Sequence, residues 1–303
     1  MARLLITGGS GLLALNWARC MSDLWDVQRI EHHRRVELMG TVSHQIDIGS
    51  QDALARLLDI VAPDVVVNCA GMTGVEQCEA DREAARRANV SIPRIIAAAC
   101  RGRPLHLVHI STDHLFDGTV SMATETEPPR PVNVYARSKA DGEKAVLDTL
   151  EDALVVRTNF FGWGTGYKAS FSDRIVGALR AGEKTGLFED VYFTPILMDT
   201  LAETVHGLVS SGASGIYNVA GDERLSKYEF GLRIAEMFGL DSTLVQRSKL
   251  SVRSDLVTRP LEMSLSNNKA RRLLGRELGG ASAHMSRLTA LESDPRVKEV
   301  QAL

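Results

Sequence analysis

Tyr135 and Lys139 lie four residues apart in the run Asn133-Val134-Tyr135-Ala136-Arg137-Ser138-Lys139, so a helix would put a phenol and an ammonium on one face, one turn apart. That pair is the raw material of a proton donor. An isolated phenol titrates near ~10, and drawing it into the neutral range takes about 4 kcal/mol of preferential stabilisation of the phenolate. A neighbouring cation has the right sign. Of the five tyrosines in the chain, none of the other four has a lysine four residues on. Spacing alone is weak evidence, and its meaning depends on the elements that carry the pair.

Those elements alternate. Residues 4–7, 27–31, 64–70, 105–111 and 154–158 are short runs rich in Val, Ile and Leu, closed by Gly, Asn or Ser, and read as buried strands. Helical patterns lie between them. Leu54, Leu57, Leu58 and Val61 fall at i, i+3, i+4 and i+7 before Pro63 stops the helix, and Ile92, Ile95, Ile96 and Ala99 form a stripe within 81–101. Strands alternating with helices imply an α/β fold built on a doubly wound parallel sheet, which binds ligands beyond the carboxyl ends of its strands. After Thr158 the run Asn159-Phe160-Phe161-Gly162-Trp163-Gly164-Thr165-Gly166 reads as a loop into a second lobe. The expected organisation is a dinucleotide-binding Rossmann domain over 1–160 and a smaller C-terminal substrate-binding lobe over 161–303, with part of 186–222 returning to the first domain. A strand at 215–219 and a helix at 227–238, introduced by Ser226 as N-cap, are the clearest later elements. From Gly279 onward the chain reads as a polar helix or a loose tail.

Composition narrows the partners. A net charge of −3 with dispersed Lys and Arg argues against a nucleic-acid surface, and no block of basic residues suggests a membrane anchor. No apolar run is long enough to span a bilayer, and the first, Leu4-Leu5-Ile6, is too short for a signal peptide, so the expected location is cytoplasmic. Cys20, Cys69, Cys78 and Cys100 form no C-x-x-C and read as reduced, mostly buried thiols. His32 and His33 would face opposite sides of a strand, so no metal site is expected.

The first strand runs directly into Gly8-Gly9-Ser10-Gly11-Leu12-Leu13-Ala14, a Gly-x-x-Gly-x-x-Ala turn before a helix. Gly8 allows the tight turn, Gly11 lets backbone N–H groups approach a pyrophosphate, and small Ala14 permits close helix–strand packing. Gly8, Ser10, Gly11 and Leu12 are therefore expected at a dinucleotide cofactor. The second strand ends in Ile30-Glu31-His32-His33-Arg34-Arg35, where the signals conflict. Glu31 suits the ribose 2′-hydroxyl of NAD, whereas Arg34 and Arg35 suit the 2′-phosphate of NADP; NADP(H) is favoured and NAD(H) remains open. Asp47, followed by Ile48, could bond the adenine amino group or cap the next helix.

Taken in order, these residues resemble the extended short-chain dehydrogenase/reductase family, and within it the dTDP-4-dehydrorhamnose reductase branch. The resemblance is carried by the Gly8 turn, Asp47-Ile48, Asn68-Cys69-Ala70-Gly71, Asn89, Ile110-Ser111-Thr112-Asp113, Phe116-Asp117-Gly118, the Tyr135 to Lys139 run, Arg157-Thr158, Arg259-Pro260 and Ser264-Leu265. It implies that Tyr135 protonates the developing alkoxide while NAD(P)H delivers hydride to a ketone. It also implies that Lys139 holds the nicotinamide ribose and lowers the tyrosine pKa, and that Thr112 bonds the substrate oxygen. Asn68, Cys69, Ala70 and Gly71 would line the cofactor, Asn89 would be structural, and Arg259 would meet a substrate diphosphate or form a surface salt bridge.

Three departures fall on the substrate side. His114 stands where this branch usually has tyrosine, Asn159-Phe160-Phe161 replaces a segment usually containing tryptophan, and Ser266-Asn267-Asn268 departs from a more acidic pattern. His114 and Asn159 therefore join the expected substrate contacts, and the sugar is left open. The reading is an NAD(P)H-dependent ketoreductase of a 4-keto-6-deoxy nucleotide sugar, which leaves room for a homodimer. Its alternatives are a nucleotide-sugar epimerase or dehydratase, and a non-catalytic NADP-binding regulatory subunit like that of methionine adenosyltransferase.

Overall fold

The computed structural model describes residues 1–303. In the first half the chain runs β1 (Arg3–Thr7), α1 (Leu12–Met21), β2 (Asp26–Glu31), β3 (Thr41–Gln45), α2 (Gln51–Val61) and β4 (Val65–Asn68). It continues through α3 (Val75–Ala80), α4 (Arg82–Arg86), α5 (Ile92–Cys100), β5 (His106–Ile110), α6 (Val134–Thr149) and β6 (Leu154–Arg157). The second half adds β7 (Phe160–Phe161), α7 (Phe171–Arg180), β8 (Thr185–Phe188), β9 (Tyr192–Phe193), β10 (Ile196–Leu197), α8 (Met198–Ser210) and β11 (Gly215–Asn218). It closes with β12 (Leu225–Ser226), α9 (Lys227–Met237), β13 (Val245–Ser248), α10 (Asn268–Leu274), α11 (Ala281–Leu291) and α12 (Pro295–Ala302).

Seven strands form one sheet in the order β11-β6-β5-β4-β1-β2-β3, every pair parallel. A sheet of parallel strands needs helical crossovers, which cover both its faces and bury the Val-rich strands β4 and β6 completely. One face packs on α1 and α8 through Leu4, Ile6, Val65, Trp17 and Leu201; the other packs on α2, α5 and α6 through Leu5, Val66, Leu57, Ile96 and Val146. The strand order reverses between β1 and β4, and there the sheet opens a crevice at its carboxyl edge.

Each expected strand is present within two or three residues of its sequence bounds. β3 was not expected, because Thr-Val-Ser-His-Gln at the sheet edge is mostly solvent-facing and carries no apolar face to betray it. The helix expected over 81–101 is interrupted by a π turn at Arg87–Ser91 between α4 and α5. Ser50, not Asp47, caps α2, its hydroxyl accepting from Ala53 N at 3.3 Å. His32 and His33 lie beyond β2 in a bend, with ring centroids 3.6 Å apart, rather than on opposite sides of a strand. All four cysteines are free thiols, and no helix is long and apolar enough to cross a membrane.

The second lobe has its own core, in which Phe161, Phe193 and Phe230 meet edge to face at 5.0 and 5.5 Å between ring centroids. The stretch after Gly279 is no tail. α11 packs Met285 and Leu288 into that core, and α12 returns to the main sheet layer, where fully buried Val300 joins the cluster around α1. Met39 N donates to Glu299 at 2.7 Å, and Arg296 donates to the Arg19 carbonyl at 2.8 Å. Val297 and Val300 are both wholly inaccessible to solvent, so replacing both by Ala should cost about 2–4 kcal/mol of unfolding free energy. Urea denaturation measures it, and a loss within ~0.5 kcal/mol of zero would mean that the terminus is loosely held after all.

Candidate active site

At the switch point the chain turns on Gly8, whose φ of +67° is strained for any residue with a side chain. A Cβ there would also fall 2.9 Å from Ala70 N, so the β1 and β4 carboxyl ends can approach only because the residue is glycine. Gly11 N closes the turn on the Gly8 carbonyl at 2.7 Å. α1 then begins with no side-chain cap and no acidic residue in its first turn, which leaves its amides and the positive end of its dipole to an anion. Donors without a partner, behind a cradle that a side chain would fill, fit the pyrophosphate of a dinucleotide.

The turn opens into a cavity of about 1020 Å³ that reaches from Gly8 to Asn159. Asn133 caps α6 by accepting from Ala136 N at 2.8 Å, and this sets the helix so that Tyr135 and Lys139 both face the cavity while remaining buried. Lys139 Nζ donates to the Ile110 carbonyl at 2.7 Å, which ties α6 to the end of β5. Burial pushes this ammonium down to about 8, against the attraction of Glu143 and Cys69. Thr112 and Asp113 follow β5 directly. The Thr112 hydroxyl donates to Asp113 Oδ1 at 3.2 Å, and Asn159 Nδ2 donates to Asp113 Oδ2 at 2.6 Å. His114 lies edge-on to Tyr135 at 5.6 Å between centroids, and burial lowers its pKa despite Asp113, so the ring is neutral at pH 7.

The phenol departs from expectation. Burial pushes the Tyr135 pKa up, the Thr112 hydroxyl pulls against that, and the charges of Asp113 and Cys78 add to the rise. The cation meant to lower it is engaged by the Ile110 carbonyl. Tyr135 is thus firmly protonated at neutral pH, the state an acid must hold before it gives up a proton.

Of the residues singled out from sequence, Gly8, Ser10, Gly11, Leu12, Arg34, Asp47, Ile48, Cys69, Ala70 and Gly71 line this cavity, together with Thr112, His114, Tyr135, Lys139 and Asn159. Asp47 turns one oxygen to Gly49 N at 2.9 Å. Four residues are not brought there. Asn68 is buried between β1 and β5, its amide oxygen accepting from the Thr7 hydroxyl at 2.6 Å and its nitrogen 2.9 Å from His109 Nδ1. Glu31 is buried and ion-paired to Arg29 at 2.6 Å, its second oxygen accepting from Val36 N at 3.2 Å, so its carboxylate is already used. Arg35 points to solvent. Arg259 is salt-bridged to Glu76 on α3 and lies outside the cavity wall, although its charge is felt at His114. Two contributors went unnoticed in the sequence. Arg29, two residues before Glu31 on the same strand face, also donates to the Gly9 carbonyl at 3.0 Å and so braces the phosphate turn. Tyr167, from the second lobe, donates to the Ser10 carbonyl at 2.5 Å and lies under the Arg34 guanidinium at 4.0 Å. Only the Gly-rich loop around it signalled a role.

A parallel seven-stranded sheet with a phosphate turn at its switch point, and with Thr112, Tyr135 and Lys139 at the same edge, defines an extended short-chain dehydrogenase/reductase. Within that class the chain belongs to the RmlD substrate binding domain family, whose model matches residues 2–289. Among its relatives, the probable low-salt glycan biosynthesis reductase Agl14 of Haloferax volcanii is 32% identical over 274 residues, covering 89% of this chain and 91% of that one. A dTDP-4-dehydrorhamnose reductase of Burkholderia thailandensis is 31% identical over 238 residues, 75% of this chain and 76% of that one. Among solved structures, a hypothetical dTDP-4-dehydrorhamnose reductase from Sulfolobus tokodaii superposes with a TM-score of 0.80 at 32% identity, covering 91% of this chain and 96% of that chain.

With the Glu31 carboxylate already used, the charged side chain that β2's end brings to the cavity is the Arg34 guanidinium. Replacing Arg34 by Ala should weaken NADPH binding about 10- to 100-fold and NADH binding less than ~3-fold, while Arg35→Ala should alter neither. Fluorescence titration of both cofactors decides it, and equal losses for the two would reject a 2′-phosphate contact.

Proposed function

We propose that the protein uses NADPH to reduce the keto group of a 4-keto-6-deoxy nucleotide sugar to an alcohol. The observation that carries this reading is the convergence of Thr112, Tyr135 and Lys139 on one cavity with the dinucleotide turn. The dinucleotide, when bound, supplies a hydride to the carbonyl carbon. The chain's own residues do the rest. Thr112 and Tyr135 hold the carbonyl oxygen, and the protonated phenol gives its proton to that oxygen as negative charge develops on it. Lys139, its ammonium tied to the Ile110 carbonyl, lines the same cavity one helical turn from Tyr135, where it would hold the nicotinamide ribose and lend positive charge to the phenolate left behind. Neutral His114 and the amide of Asn159 face the substrate side.

The substrate class comes from the relatives, which are named as reductases of dTDP-4-keto-6-deoxy-D-glucose and dTDP-4-dehydrorhamnose. Asp113 is the one carboxylate beside Thr112, and it is already bonded by Asn159, which favours simple reduction over the acid–base elimination of a dehydratase. A reaction between two soluble nucleotides fits a cytoplasmic protein without nucleic-acid partners, as a monomer or a homodimer.

The test is NADPH absorbance with a panel of 4-keto nucleotide sugars. Wild type should consume one NADPH per ketone, and Tyr135→Phe should lose about 10²- to 10⁴-fold in kcat with NADPH affinity within ~3-fold. Tight NADPH binding without oxidation by any member would instead mark a binding subunit. Undiminished turnover in Tyr135→Phe would remove the phenol from the mechanism.

A further inference from the structure

Arg29 lies on β2 and Arg34 just beyond its end, and the two guanidinium groups are held in opposite ways. Every side-chain nitrogen of Arg29 is bonded: Nε to Thr41, one terminal nitrogen to Gly9 and Glu31, the other to Val36. The Arg34 guanidinium makes no hydrogen bond or ion pair to the protein, although the residue lines the cavity. What holds it is the ring of Tyr167, whose centroid lies 4.0 Å from its central carbon. An aromatic face steadies a guanidinium through the ring quadrupole and leaves its N–H donors free.

The platform comes from the second lobe and is itself anchored. Thr165 and Lys168 close a tight turn around Tyr167, exchanging backbone hydrogen bonds at 3.0 and 3.2 Å. Gly166 backs so closely on α12 that a Cβ there would fall 3.2 Å from the Gln301 carbonyl oxygen. The Tyr167 ring packs against the core cluster around α1, and its hydroxyl donates to the Ser10 carbonyl at 2.5 Å. Ser10 belongs to the phosphate turn, so the ring is placed directly against the element that fits a dinucleotide. A free arginine gives up rotamer freedom when it grips a ligand, whereas one already stacked on a fixed ring has less to lose. Unpaired, preorganised N–H donors beside that turn match a phosphate, which accepts two parallel bonds from one guanidinium. A ribose hydroxyl at the same point carries no charge and gains far less.

We propose that Tyr167 is a positioning residue for the choice of cofactor: its ring holds the Arg34 guanidinium at the adenosine 2′-phosphate, so that the second lobe helps to select NADPH over NADH. Tyr167 acts through Arg34, its own hydroxyl being spent on Ser10. The inference rests on the NADPH reading above.

Fluorescence titration of NADPH and NADH, with the full chain, forms a double-mutant cycle on Tyr167 and Arg34. Tyr167→Leu should weaken NADPH binding about 5- to 10-fold and NADH binding less than ~2-fold. In Arg34→Ala, where no guanidinium is left to position, adding Tyr167→Leu should change NADPH binding less than ~2-fold. Tyr167→Phe keeps the ring and should retain most of the preference. Should Tyr167→Leu fail to fold, as circular dichroism reports, Tyr167→Gln is read the same way. A tyrosine that only held the lobes together would weaken both cofactors alike, or would add its loss in full to that of Arg34→Ala. Either result overturns the role of Tyr167 and leaves the NADPH reading standing, as does a loss in Tyr167→Phe equal to that in Tyr167→Leu. If Arg34→Ala itself leaves NADPH binding untouched, the 2′-phosphate contact falls and this role falls with it.

Discussion

The geometry of the site depends on one buried amide. Asn89 sits in the π turn between α4 and α5, wholly inaccessible to solvent, and its side chain bonds the Met72 backbone in both directions at 2.8 and 2.9 Å and the Ser138 hydroxyl at 2.9 Å. The π turn widens the helix so that this side chain and the Asn89 carbonyl can turn towards α6. α6 comes close enough to receive them because residue 142 is glycine, since a Cβ there would run into the Asn89 carbonyl oxygen. The loop after β4, the continuous α4–α5 helix and α6 are thereby locked into one body. Tyr135 and Lys139 ride on that helix, which this contact positions together with the bond from Lys139 to the Ile110 carbonyl.

The same body bears a high electrostatic load. Lys139, Asp113, Glu143 and Arg157 are all buried, and each is tied down by named partners: Lys139 by the Ile110 carbonyl, and Glu143 by a bidentate bond from Arg157 at 2.7 to 3.1 Å. Buried charges of this kind add little to stability over apolar residues of the same volume, but breaking one pair is costly. They make sense as preorganisation, because charges already fixed in place need not reorganise when the substrate oxygen becomes negative. The raised phenol of Tyr135 belongs to the same logic: with its proton held tightly at rest, transfer waits for an oxygen more basic than phenolate.

What was legible in the sequence is what is local. The Gly8 turn and the Tyr135 to Lys139 spacing involve residues within one or two turns of each other, and a strand–turn–helix or a helix face places them without further information. The buried strands were legible because a parallel sheet covered on both faces demands continuous Val, Ile and Leu. Glu31 shows the limit. Its position at the end of β2 reads as a ribose contact, yet Arg29 two residues earlier shares its face and takes its carboxylate, while Val36 and Thr41, brought alongside by the β2–β3 connection, complete the enclosure. The second lobe was obscure for another reason. Its strands β7, β9, β10 and β12 are two residues long, below the length at which any period appears, and its order comes from aromatic packing among Phe161, Phe193 and Phe230, which are distant in the chain. The C-terminal helix has only Val297 and Val300 to announce a buried face.

The contacts between the two lobes do more than hold them together. Tyr167 reaches the Ser10 carbonyl of the phosphate turn, Asn16 on α1 donates to the Trp163 carbonyl at 2.9 Å, and Asn159 bonds Asp113 beside Thr112. All three originate in or end on the segment between β6 and α7, the first stretch of chain to leave the main sheet. A single connection therefore touches the glycine turn, the first helix and the end of β5 at once. The sheet's carboxyl edge and the lobe's aromatic core share this segment, so they cannot settle independently. The phosphate turn, α1 and Asp113 are tied together by a strap of about a dozen residues whose glycines and aromatics, unreadable as regular structure, are the physical link between the main sheet and the second lobe.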